Sequence, residues 1–296
     1  MTVIAPRRFL GAFLLSLAVL ASIGCKRADK ADANSGARQY EVRGVVRGIA
    51  PDHSTLEVEH EAVLGFMPAM TMPFIVQNPK DSAALRIGDA ISFRFSVTDR
   101  DSWIDQIRKI NASEVHVPAQ AAPAPNVEPS TRLRAGDPMP AFELTDQVGN
   151  ALTLDTFRGR PFVLTFFFTR CPVPNFCPLM TRNFATLQIE IKAGTGPLAE
   201  TRLLSISFDP EHDTPAVLQE QAQHENADPV RWSFATGTPT QIKELTGRFS
   251  VLVQPETGTV SHSLAIALID ADGRVVEIWR GNGWKPEEVL AKIKAL

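Results

Sequence analysis

Cysteine is scarce in this chain: the 296 residues hold three, Cys25, Cys171 and Cys177. So few exclude a scaffold stapled by disulfides, and beyond the Cys171–Cys177 pair there is no additional resolving cysteine for a peroxidase cycle. An excess of one charge is also lacking. A formal net charge of −3 argues against general nucleic-acid binding, which needs a strongly basic surface. No internal repeat is visible. The hydrophobic share, 44%, is that of ordinary globular domains, and the length alone suggests about two of them.

What is present begins with a targeting pattern. Arg7 and Arg8 precede the weakly polar to apolar stretch Phe9 to Ala21, which has signal-peptide rather than membrane-spanning length. Ser22-Ile23-Gly24-Cys25 follows. This resembles a bacterial lipoprotein signal, although Ser22 stands where that pattern prefers leucine. The resemblance implies cleavage ahead of Cys25, lipid on Cys25, and attachment to the periplasmic face of a bacterial membrane. An uncleaved anchor and ordinary secretion are the other readings. All three export the chain to an oxidising compartment. Lys26 to Arg38 is small and polar and reads as a tether.

The chain is organised around Phe162 to Pro178. Phe162-Val163-Leu164-Thr165-Phe166-Phe167-Phe168 is a continuous apolar run of strand length, as a strand buried on both faces requires. It gives way to Cys171 and Cys177 among three prolines. From Leu179 to Lys192, Met180, Phe184, Leu187 and Ile191 make one apolar helical face. Two thiols thus sit where a central strand hands over to a helix. Unpaired N–H groups and the partial positive charge of a helix start favour thiolate, the form that attacks disulfides or binds soft metals. A structural disulfide or two buried thiols is the plain alternative.

Short strands are predicted ahead of this centre at Glu41 to Ile49, Thr55 to Val58, Met70 to Val76, Ala90 to Val97 and Trp103 to Asn111. Turn residues at Pro51-Asp52, Gly65, Asn78-Pro79 and Gly88-Asp89 separate them. Five short strands in this span, residues 39–117, predict a small all-β barrel of the OB kind. Residues 118–132, rich in alanine and proline, read as a semi-extended linker. From residue 133 onward strands and helices alternate, which predicts an α/β sheet covered on both faces.

Within the barrel, Met67, Met70 and Met72 crowd together near His60, and on a strand Met70 and Met72 share a face. Thioethers suit Cu(I) and imidazole can join them, but methionine also fills small cores. His60 with Phe66-Met67-Pro68-Ala69-Met70-Thr71-Met72 resembles the CusF-like periplasmic copper-binding domain. The resemblance implies ligation by His60, Met70 and Met72. That family's copper-covering tryptophan corresponds by position to Met67, which leaves Phe66 as an aromatic contact or Met67 as a fourth ligand.

Thr169-Arg170-Cys171-Pro172, Cys177-Pro178, Ser205-Ile206-Ser207-Phe208-Asp209-Pro210, Asp213-Thr214-Pro215 and Ser261-His262-Ser263 together resemble the Sco/SenC copper proteins, over residues 133–296. The resemblance implies a thioredoxin-like fold and copper held by Cys171, Cys177 and His262. Five residues separate the cysteines here, where that family usually has three. Taken alone, His262 reads as a surface or capping residue, and only the resemblance makes it a ligand. Asp209 reads equally as a support for the metal ligands or as a cap for the next turn. His53, His116, His212 and His224 read as solvent-exposed.

Copper is therefore the expected cofactor, as Cu(I) or Cu(II). The leading expectation is a membrane-anchored metallochaperone rather than an enzyme. By resemblance its partner is the copper-bearing subunit of cytochrome oxidase, or another copper protein, and a thiol reductant keeps the cysteines reduced. Nucleic acid is not expected as a partner. The alternative is a thiol-disulfide reductase acting through Cys171 and Cys177 on the oxidase's own cysteines. Storage for detoxification is a third reading.

Overall fold

The computed structural model describes residues 36–117, 132–256 and 259–296. The targeting segment with Cys25, the tether up to residue 35 and the linker over 118–131 lie outside the described residues. Residues 37–296 form one compact unit.

Its first sheet contains β1 (Arg38–Ile49), β2 (Thr55–His60), β3 (Met70–Ile75), β4 (Ala90–Val97) and β5 (Ser102–Lys109). They are ordered β3-β2-β1-β4-β5, with every pair antiparallel. All five predicted strands are there. Alternation drives the burial: Leu56, Val58 and His60 of β2 and Met70, Met72 and Phe74 of β3 turn inward. Phe74 meets Phe93 and Phe95 edge-on, with centroids 5.0 and 5.1 Å away. Closure is where the sheet departs from a full barrel. Its edges meet at one parallel bridge, Val76 with Ile104, beside a bond from Gln77 N–H to the Ile104 carbonyl at 3.0 Å. Pro73 sits in β3, an edge strand, where its missing N–H costs no ladder bond.

The second sheet has seven strands. A hairpin of β6 (Glu143–Asp146) and β7 (Ala151–Thr153) leads to β8 (Phe162–Phe167), α1 (Cys177–Ala193), α2 (Pro197–Glu200), β9 (Arg202–Ser207), α3 (Pro215–His224), β10 (Trp232–Thr236) and α4 (Pro239–Arg248). A two-stranded ribbon of β11 (Val253–Glu256) and β12 (Thr259–His262) then precedes β13 (Ala265–Ile269), β14 (Val275–Arg280) and α5 (Pro286–Lys294). The order is β14-β13-β8-β9-β10-β6-β7. β8, β9 and β10 run parallel, while β13, β14 and the β6–β7 hairpin run antiparallel.

All six residues of β8 are buried, as a central strand with both faces covered demands. The helices α1, α3, α4 and α5 each start with a proline in the first two positions, where its lack of an N–H is harmless. Thr214 and Thr238 accept from the N–H three residues on and cap α3 and α4. On α1 the predicted face of Met180, Phe184, Leu187 and Ile191 is buried, each side chain worth about 2 kcal/mol of transfer from water. The β11–β12 ribbon and α2 were not anticipated. The ribbon strands are four residues long and one contains a proline, too short for a periodic signal.

Candidate metal centre

Cys171, Cys177 and His262 come together at the end of β8. One donor atom from each lies within 4.8 Å of the others, about twice a metal–sulfur bond of roughly 2.3 Å, so a single ion fits among them. Both thiols are free. Cys177 is buried and opens α1, while Cys171 is half-buried in the loop before it. Cys177 Sγ lies 3.7 Å from His262 Nε2. His262 Nδ1 is 3.2 Å from the Ser263 carbonyl; donating there turns Nε2, as acceptor, toward the thiols. Phe208, Phe168 and Phe176 surround this imidazole, with centroids 4.7, 5.4 and 6.0 Å away.

The two thiols are not equivalent. A hydrogen bond from Cys177 holds Cys171 well below the ordinary thiol range, and His262 adds to this. Burial pushes Cys177 well above it, and the neighbouring Cys171 pushes the same way. The expectation that a helix start favours thiolate at both positions is therefore corrected. Desolvation outweighs the helix at Cys177, and Cys171 ionises first.

The five-residue span between the cysteines is pinned from outside. Val173, Pro174, Asn175 and Phe176 are buried. Asn175 Nδ2 donates to the Ser102 carbonyl at 2.8 Å, and Asn282 Nδ2 donates to the Asn175 carbonyl at 2.9 Å. Just upstream, Asp213 does the anchoring. It is fully buried and accepts from Thr169 N–H at 3.0 Å, Thr169 Oγ1 at 2.5 Å and Ser207 Oγ at 2.5 Å. The sequence marked Asp213 only as part of the Asp213-Thr214-Pro215 motif, with no anchoring role.

The Asp209 side chain does not cap the next turn. Its carboxylate pairs with Arg170 at 2.6 Å on the rim, and its backbone carbonyl, not its side chain, receives the following turn. Such a half-exposed pair is worth little by itself. His53 is half-buried rather than exposed, with an enclosed Nδ1, while the His212 side chain stays 40% exposed with Nδ1 2.9 Å from Asp213 Oδ1. His116 and His224 are exposed as expected.

In the first sheet His60 is fully buried and sits opposite Met70 in the β2–β3 register. Its Nδ1 is 2.6 Å from the Glu61 carbonyl, and its Nε2 is buried with no partner. An orphaned imidazole nitrogen beside thioethers is the arrangement a soft cation satisfies. Gly44 lets β1 lie close on β2, because a Cβ there would come within 2.9 Å of the His60 backbone and closer still to Glu59 and Val58. Met67, Met70 and Met72 are buried. Phe66 turns away to stack on Tyr40 at 5.1 Å, under the Arg38 guanidinium. Met67 lines the same cavity as Met70 and Met72.

Burial lowers the His60 pKa to about 4. The unfolded chain gains a proton near pH 6.5 that the folded chain refuses until about pH 4, so apo stability falls as the pH drops through that window. The expected loss is about 3 kcal/mol. Urea unfolding of the metal-free chain at several pH values checks this, and His60→Leu is expected to flatten the slope. An unchanged slope would assign the loss to other groups.

An α/β sheet of thioredoxin type, with two cysteines and a histidine converging at its central strand, defines a soft-metal protein built on a redox fold. The chain belongs to the SCO1/SenC family, whose model matches residues 131–296. Residues 39–109 match the model for the copper binding periplasmic protein CusF. Copper is the metal that both donor sets fit. Among curated relatives, a SCO1 protein homolog of Bacillus subtilis (strain 168) is 28% identical over 159 residues, 52% of this chain and 80% of that protein. A SCO2-like protein of Rickettsia felis is 30% identical over 160 residues, 52% and 74% of the two chains. Among solved structures, a SCO1/SenC family lipoprotein from Bacillus anthracis str. Ames is 30% identical, covering 54% of this chain and 94% of that one, with a TM-score of 0.49. Bradyrhizobium japonicum ScoI with copper bound is 28% identical, covering 55% and 99%, with a TM-score of 0.45. Among the described residues, no helix is long and apolar enough to cross a membrane.

Proposed function

We propose that this chain is a periplasmic, membrane-anchored copper metallochaperone. Residues 39–117 form its Met/His copper domain and residues 133–296 its Cys/Cys/His domain, joined by the linker 118–132, with a lipid on Cys25 as the anchor. The observation that carries the reading is the convergence of Cys171, Cys177 and His262, unbridged, at the end of a buried strand. Copper is cargo here. The thiols and imidazole hold it, the aromatic rings pack against the imidazole, and the Ser263 carbonyl orients Nε2. The family resemblance points to the dinuclear copper centre of cytochrome oxidase as the recipient, with an external thiol reductant keeping the pair open.

A second reading is favoured by the unequal thiols. A thiol pKa held low at Cys171 beside one held high at Cys177 also suits thiol-disulfide exchange with the oxidase's cysteines. His262→Ala separates the two. A chaperone needs the imidazole, so the variant is expected to bind Cu(I) roughly 100-fold more weakly, about 2.7 kcal/mol, and to fail in oxidase assembly. If it assembles the oxidase as well as the parent does while the cysteine variants fail, the chain works as a reductase.

A further inference from the structure

We infer that the Met/His set and the Cys/Cys/His set are two halves of one site, sharing a cavity in which a single Cu(I) passes from thioether to thiolate without leaving the protein. This rests on the copper reading above and adds a route to it. The route comes from placement. Met67, Met70 and Met72 line one side of a cavity of about 20 Å3, and Cys171 and His262 line the other. That is room for about one water-sized body, hence for a bare ion and not for a hydrated one. Phe176, between the cysteines in sequence, completes the wall.

The cysteine loop is fastened to the first sheet at this point. Asn175, itself buried, donates to the Ser102 carbonyl of β5 at 2.8 Å. Arg182 of α1 donates to the Arg100 carbonyl at 3.0 Å and to the Pro174 carbonyl at 3.2 Å. His60 pairs with the cavity-lining Met70 in the β2–β3 register. A cleft of about 400 Å3 reaches both cysteines from another side, bordered by Arg182 and His224, and gives a recipient its own approach.

The step balances without an electron. Copper remains Cu(I); it enters on the thioethers, copper–thiolate bonds replace part of the copper–thioether bonds, at least one thioether stays bound in the resting complex, and any thiol proton displaced goes to solvent. Neutral thioethers yielding to anionic thiolates sets the direction.

The test uses the full chain with selenomethionine in place of methionine, titrated with Cu(I) against a competing Cu(I) chelator. One equivalent is expected to bind tightly, and copper-edge X-ray absorption of that complex is expected to show selenium and thiolate sulfur on the same ion. Asn175→Ala combined with Arg182→Ala keeps every ligand but frees the loop; it is expected to take a second equivalent and to lose selenium from the first. Should the double variant misfold, the parent measurement still decides. Two independent equivalents in the parent, or one bound by sulfur and no selenium, would overturn the shared site while leaving the thiol centre standing. No tight binding at all would instead bring down the copper reading itself.

Discussion

Cys177→Ser is expected to weaken Cu(I) binding at the thiol centre at least about 1,000-fold, roughly 4 kcal/mol. The donor set explains the size. His262 and one remaining thiolate leave the ion to solvent ligands and chelators, whereas two thiolates within 4.8 Å of the imidazole enclose it. Cys171→Ser is expected to match it in affinity but not in its side effects. Cys171 is half-buried and its serine stays hydrated, while Cys177 is buried at the start of α1 and its serine places a hydroxyl where a thiol was packed. Burying that hydroxyl adds about 1 kcal/mol of destabilisation in the apo chain. Chelator competition and urea unfolding of both variants measure the two effects. Retention of parental affinity by either serine variant would remove that thiol from the centre. Oxidation of the pair to a disulfide is expected to block binding to the same extent, because no thiolate remains.

Asp213→Ala is expected to cost roughly 3–5 kcal/mol of stability, although Asp213 is not a ligand. Its buried carboxylate takes Thr169 through both N–H and hydroxyl, and takes Ser207 from the end of β9. Removing it orphans three donors at once, and buried donors left unpaired carry their full desolvation penalty. The same change frees Thr169, two residues ahead of Cys171, so copper affinity falls with stability. Ser207→Ala removes one of these donors and is expected to cost only about 1 kcal/mol. Urea unfolding of the apo chains orders the two variants, and an Asp213→Ala penalty no larger than that of Ser207→Ala would refute the anchoring role.

The fold was legible where patterning is strong. Alternation over β1 to β5, the unbroken apolar run of β8 and the face of Met180, Phe184, Leu187 and Ile191 on α1 are local signals, and each appears where the sequence places it. The candidate ligand types were visible too, because soft donors in an otherwise cysteine-poor chain stand out. His262 was a different case. It reaches Cys177 across 85 positions on a ribbon too short to be periodic, so only the family resemblance selected it. Tertiary structure alone decided the rest. It set the difference between Cys171 and Cys177, since desolvation depends on what surrounds a thiol and not on its neighbours in sequence. It gave Asp213 its anchoring role, because the direction of a carboxylate is set by where β8 and β9 end. It also set the Met cluster against the cysteine loop, through Asn175 and Arg182 reaching backbone carbonyls of Ser102 and Arg100. A bond from a side chain to a distant carbonyl leaves no trace in composition or period, since any residue can supply the acceptor.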